Sequence, residues 1–194
     1  MLRVHFLIWA LASTLLSGCG AGAKPEPAPP CEQACQDGIA LRGVRETMKL
    51  AYNLLIQARP VGTQDGTTDC RSSDGSKGGT VHVFGEATSN AAQGASFVDL
   101  EYDFDQCVYS VPPSATPNEN YSLVITGPVT QQGTLAVQPS STTALLIDSE
   151  GLNVSGTVYD PPLAIELSDC KLSVAQQGNR VSGVICGRNA GFTF

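Results

Sequence analysis

FVDLEYDFDQCVYSV, residues 97–111, alternates apolar and acidic side chains. Within Ser96–Gln106, Val98, Leu100, Tyr102 and Phe104 fall on one side, and Asp99, Glu101, Asp103 and Asp105 on the other. Successive side chains of an extended chain point to opposite faces, so one face suits a core and the other suits water. That is the pattern of an antiparallel sheet covered on one side. It recurs in both directions along the chain. Thr80–Ala87 precedes it; Tyr121–Thr126, Thr134–Gln138, Thr143–Asp148, Leu152–Tyr159, Leu163–Val174 and Arg180–Gly187 follow. A Pro-Ser-Ser turn separates Thr134–Gln138 from Thr143–Asp148. In Leu163–Val174 the apolar phase passes from Leu163, Ile165 and Leu167 to Cys170, Leu172 and Val174, which predicts a bulge near Asp169. LAIELSDCKLSV at 163–174 echoes 97–111, an alternating strand carrying Asp-Cys where the other carries Asp-x-Cys. Val61–Gly79 has no period and reads as a polar, Gly-rich loop.

Upstream of the strands the period changes. Leu41, Val44, Met48, Ala51, Leu55 and Ala58 recur at three- and four-residue spacing. Arg42, Arg45, Glu46, Lys49, Asn53 and Gln57 fill the other face, which predicts an amphipathic helix over about Glu32–Arg59, stopped by Pro60. Connections between strands are short except Pro112–Asn120. The expected fold class is therefore α+β, mainly β: an N-terminal amphipathic helix packed on a curved antiparallel meander of seven or eight strands. A closed up-and-down β-barrel is the alternative.

The chain has 194 residues, of which 42% are hydrophobic and 15% charged, enough apolar material for one domain. Its net charge is −7, with 11 Lys and Arg. A chain so poor in cations is ill suited to neutralising phosphates, so no nucleic-acid partner is expected. The first residues carry an address. Arg3 is followed by a mostly apolar run, Val4–Leu16, too short to span a bilayer. It ends in Leu16-Ser17-Gly18-Cys19.

These four residues resemble the lipobox of bacterial lipoproteins: an aliphatic residue, two small ones and a cysteine. The resemblance covers the export signal only. It implies that residues 1–18 are a signal peptide and that Cys19 receives a thioether-linked diacylglycerol, with further acylation (palmitate) of the new amino terminus. Two or three acyl chains, each buried CH₂ adding about 0.8 kcal/mol, hold a protein on a membrane without a spanning helix. Gly20, in place of Asp, implies the outer membrane by analogy with enteric bacteria. Residues 19–30 comprise the lipidated Cys19 and a Pro-rich tether, Gly20–Pro30, of at most about 34 Å at about 3.1 Å per residue. Residues 31–194 are the folded domain. The expected localisation is the bacterial cell envelope, lipid-anchored on the periplasmic or surface face.

Seven cysteines less Cys19 leave six. An even number in an exported domain argues for disulfides. A hairpin turn within Gln176–Asn179, which holds Gly178 and Asn179, sets residues summing to about 355 or 356 opposite one another and brings Cys170 to Cys186. The same construction about Asn90–Gln93 brings Cys107 near residue 76, with Cys70 a few loop residues away. Cys31–Cys35 is then left by elimination. Zinc is the rival reading, but Cys31-x₃-Cys35 lacks the usual knuckle spacing.

Catalytic motifs are missing. His82 is the single histidine beyond the signal segment, and no G-x-S-x-G elbow accompanies it. The four carboxylates of residues 99–105 are spaced about 6.8 Å apart along one face, too far for one ion to hold them all. Asp65, Asp69 and Asp74 lack EF-hand spacing. No catalytic residue, metal or cofactor is therefore assigned, and the chain is not expected to be an enzyme. Two functions remain. One is a non-catalytic envelope binding or structural module whose partner is an envelope protein. The other is a carrier of a lipid or other hydrophobic ligand in the cavity of the curved sheet. A helix capping a curved sheet on a lipid-anchored chain is similar to periplasmic lipoprotein carriers at the level of fold. The discriminator is whether Met48, Leu55 and their neighbours fill the concave face or leave it hollow.

Overall fold

The computed structural model describes residues 29–56, 61–90, 94–113, 116, 118–136 and 142–193. Cys19, the signal segment and most of the tether lie outside the described residues, as does Ala58.

Among the described residues, one helix, α1 (Gln33–Leu55), precedes eight strands. These are β1 (Gly62–Arg71), β2 (Lys77–Asn90), β3 (Ala95–Val111), β4 (Tyr121–Ala136), β5 (Ala144–Tyr159), β6 (Pro162–Gln177), β7 (Arg180–Ile185) and β8 (Arg188–Thr193). They form one antiparallel sheet in sequence order, β1 to β8. The α+β, mainly β meander is thus present. The closed barrel is not: β1 and β8 are both edges.

The helix explains why the sheet stays open. It contacts both edge strands, β1 and β8, and also β2, β3 and β4. The sheet curls until its two edges meet the same helix, and side chains fill the seam where closing hydrogen bonds would run. At one side, Arg188 of β8 grips Asp37 with two hydrogen bonds of 2.8 Å. At the other, Leu55 lies against Gly66 of β1. Leu41, Val44, Met48 and Ala51 of the expected stripe are buried, and Leu55 is half-buried. Gly43 is buried where the helix approaches β4: a Cβ there would lie 2.4 Å from Leu123 Cδ1.

Val98, Leu100, Tyr102 and Phe104 are buried on the concave face; Asp99, Asp103 and Asp105 are exposed on the convex face and Glu101 is half-exposed. Elsewhere the strand limits shift. Val61–Gly79 is not a loop: it contains β1 and the start of β2. Gly and Asp are depleted in strands and β1 has no apolar alternation, but at a sheet edge little side-chain burial is needed to hold one. The segments expected at 121–126 and 134–138 are one strand, β4, and those at 143–148 and 152–159 are one strand, β5. Arg180–Gly187 is also corrected, because the chain turns after Ile185 and adds β8. The β6 bulge falls at Ser168–Asp169, which together oppose Asn153, with Asp169 at φ 49°. The echo in β3 has the same build. Asp105 and Gln106 bulge between Phe104 and Cys107, with Gln106 at φ 47°. In both strands a left-handed residue immediately precedes a buried cysteine.

Cys170–Cys186, Cys70–Cys107 and Cys31–Cys35 are joined, with Cα separations of 4.7, 5.4 and 5.2 Å. The routes to them differ from the sequence argument. The β6–β7 hairpin turns one residue later than expected, pairing Gln177 with Arg180 and Leu172 with Ile185. Cys186 therefore sits in the next turn, at φ 49°, where its N–H reaches Lys171 O at 2.9 Å. Cys70 is not in a loop. It is the penultimate residue of β1, opposite Gly78 and Gly79 across a bulge. Gly79 is at φ +71°, and a Cβ there would lie 2.0 Å from Gln106 O. Bare backbone at that point lets β1 and β3 be bridged across β2. Such bridges belong to an oxidising, non-cytoplasmic compartment.

Candidate functional site

The concave face is packed at one end and hollow at the other. Where α1 starts, Leu41 and Val44 are buried within the curl, as are Tyr109, Tyr121 and Leu123. Toward its C-terminal half the helix stands over the ends of β3 to β6 and leaves a cavity of about 720 Å³. This is within the usual range for small-molecule sites. Met48, Leu135, Leu145 and Ile147 supply apolar wall. Exposed Lys49, Asn53 and Asn179 form its rim. Strand alternation delivers these residues: Gln131, Gly133 and Leu135 of β4 face the helix, and Leu145 and Ile147 of β5 stand opposite Gly133 and Gln131.

The cavity also has a polar side without buried charge. Tyr102 is fully buried and its hydroxyl donates to Gln131 Oε1 at 2.7 Å. The Tyr52 hydroxyl bonds Ser96. Burial raises both tyrosines above their usual pKa; the Ser96 bond opposes this at Tyr52, and the nearby Tyr52 adds to it at Tyr102. Both therefore stay neutral in the physiological range. Gln176 donates from Nε2 to Gly178 O at 3.0 Å. The cations near the mouth are already engaged. Arg45 is paired with Glu46, and Lys49 Nζ lies 3.5 Å from the same carboxylate. Charge is confined to the rim, and the neutral groups within favour ligands whose buried part is uncharged.

The sequence candidates for chemistry lie elsewhere. His82 is on the convex face, its Nε2 2.8 Å from Asp65 Oδ1 and its ring 5.2 Å from Phe84. Asp69 is paired with Lys77 at 2.6 Å, and Asp74 accepts the Ser76 N–H at 2.9 Å. The structure therefore separates the three acidic residues that the sequence set side by side. Asp99, Glu101, Asp103 and Asp105 remain a stripe on the outer face. Among the described residues, no group of three or more His, Cys, Asp and Glu is placed to hold a metal ion. No helix among them is long and apolar enough to cross a membrane.

Two features escaped the sequence reading. The cavity has no local signature, because it depends on which strand ends the helix fails to cover. The Asp37–Arg188 pair did have a signal: Asp37 continues the buried stripe of Leu41, Val44 and Met48, where an unpaired carboxylate would be costly. Comparison of the chain with family models, with curated proteins and with solved structures finds no match.

Proposed function

We propose that this protein is a non-catalytic binding module of the bacterial cell envelope, anchored through Cys19, that carries a lipid or other hydrophobic small molecule beneath α1. The observation that carries this reading is the hollow half of the concave face. A helix that served only to complete a core would leave no cavity of about 720 Å³ beside Met48. The tether after Cys19 joins the start of α1 and holds that end of the domain within about 34 Å of the membrane.

Native mass spectrometry of the protein purified from its own envelope tests the carrier reading. A discrete added mass of lipid size is expected. Leu135→Trp, which places a bulky ring in the cavity from a half-buried wall position, should remove that mass while leaving the circular dichroism spectrum unchanged. An unliganded wild-type protein, or a mass retained by the variant, counts against the carrier. The anchor is tested separately. Cys19→Ser should no longer incorporate labelled palmitate and should be lost from the membrane fraction or remain unprocessed. A variant that is still labelled and still pellets with membranes removes the lipobox assignment.

A further inference from the structure

Gln131 and Gln176 are each more than nine-tenths buried, and both line the cavity. Each spends one half of its amide on the protein. The Oε1 of Gln131 is taken by Tyr102, which leaves its Nε2 donors without a bond to any described residue. The Nε2 of Gln176 is fixed by Gly178 O, which can only accept, so its Oε1 is left as an acceptor. Both free atoms are still reached by solvent in the cavity, so a ligand that displaces that water is expected to satisfy both.

We infer that the cavity selects an uncharged amphiphile whose head group both accepts and donates hydrogen bonds, such as the glycerol ester of a monoacylglycerol, with the head read by Gln131 and Gln176 and the chain along Leu135, Leu145 and Ile147. This rests on the carrier reading above. A fatty-acid carboxylate has the same chain but only accepts. It would leave Gln176 Oε1 unmet and would enter a wall with no unpaired cation to receive it. The neutral Tyr52 and Tyr102 hydroxyls offer no charge either. At the rim, Arg45 and Lys49 share the one carboxylate of Glu46, and Lys49 is exposed, so water already solvates the excess positive charge.

The test uses the intact lipidated protein in phosphatidylcholine nanodiscs, with a chain-borne diazirine on dodecanoylglycerol or on dodecanoic acid, at a pH where the acid is ionised. Photolabelled peptides should contain Leu135, Leu145 or Ile147. Unlabelled dodecanoylglycerol should block labelling at a concentration about tenfold lower than dodecanoate, the ratio that one unmet buried polar group implies. Gln176→Leu should bring the two competitors within about threefold of each other, because the group that rejects the acid is gone. Should that variant fail to fold, Gln176→Met, which keeps the side-chain length without the acceptor, makes the same comparison. Equal competition in the wild-type protein, or a preference that survives both substitutions, overturns the neutral-head inference and leaves the carrier standing. Absence of label from the cavity strands with either probe overturns the carrier, and this inference with it.

Discussion

Leu100→Ala is expected to destabilise the fold by about 2–5 kcal/mol, and the neighbouring Glu101→Ala by no more than about 0.5 kcal/mol. Leu100 is 2% exposed and stands between Gly85 of β2 and Gln131 of β4. The glycine contributes no side chain, so leucine fills both positions. Gly85 is at φ +129°, where a Cβ would lie 2.2 Å from Asp99 O. No substituent there can grow to fill the hole left by alanine. Glu101 looks outward beside Phe84 and Thr130, where solvent replaces what the carboxylate loses. Urea denaturation of the two variants measures the difference. Equal costs would mean that the buried and solvated faces of β3 have been misassigned.

Arg188→Ala should cost about 3–5 kcal/mol at neutral pH, the range for stranding a buried charge, whereas Asp37→Asn should cost about 1–2 kcal/mol. The asymmetry follows from exposure. The Asp37 side chain is 1% exposed and that of Arg188 is 41% exposed. Removing the arginine leaves a buried carboxylate with only Gln33 Nε2 at 3.0 Å; removing the carboxylate leaves a guanidinium that water can reach. Burial alone would raise the Asp37 carboxyl. The hydrogen bonds from Arg188 and Gln33 and the charge of Arg188 outweigh it and hold the carboxyl below its usual range. A depressed folded value means that the stabilisation is fully present above the unfolded carboxyl value of about 3.9, and is lost as pH falls through the folded one. The gap between wild type and Arg188→Ala should therefore be widest near neutrality and narrow below about pH 4. Denaturation curves over a pH series read this directly. A gap independent of acid would show that the arginine acts by packing and not by charge.

Residues 97–111 carried most of the fold because alternation is a local property, and one strand with four buried and four outward side chains fixes which way its neighbours must face. What stayed hidden was non-local or weakly coded. β1 is an edge of Gly, Thr, Gln and Asp, and its place comes from pairing with β2. β8, RNAGFT, packs Ala190 and Phe192 toward the helix through only six residues. Asp37 and Arg188 are 151 positions apart, beyond the reach of any spacing rule. The Cys170–Cys186 bridge is compatible with a hairpin shifted by one residue because Cys186 lies in the next turn, where the chain is already bending back. The cavity-lining Gln131 and Gln176 read as ordinary strand residues. Only the placement of α1 over their strand ends gives them a common space.

All three disulfides lie toward the start of α1 and the mouths of the β1–β2 and β7–β8 turns, away from Ala95, Ala136 and Ala144 at the cavity end. The curl therefore has a covalent hinge at one end and a jaw held by non-covalent contacts at the other. Thermal breathing that parts α1 from the ends of β3 to β6 breaks no cross-link, so its free energy is set by local contacts and lies below that of global unfolding. The jaw can therefore open while the hinge keeps the sheet in register.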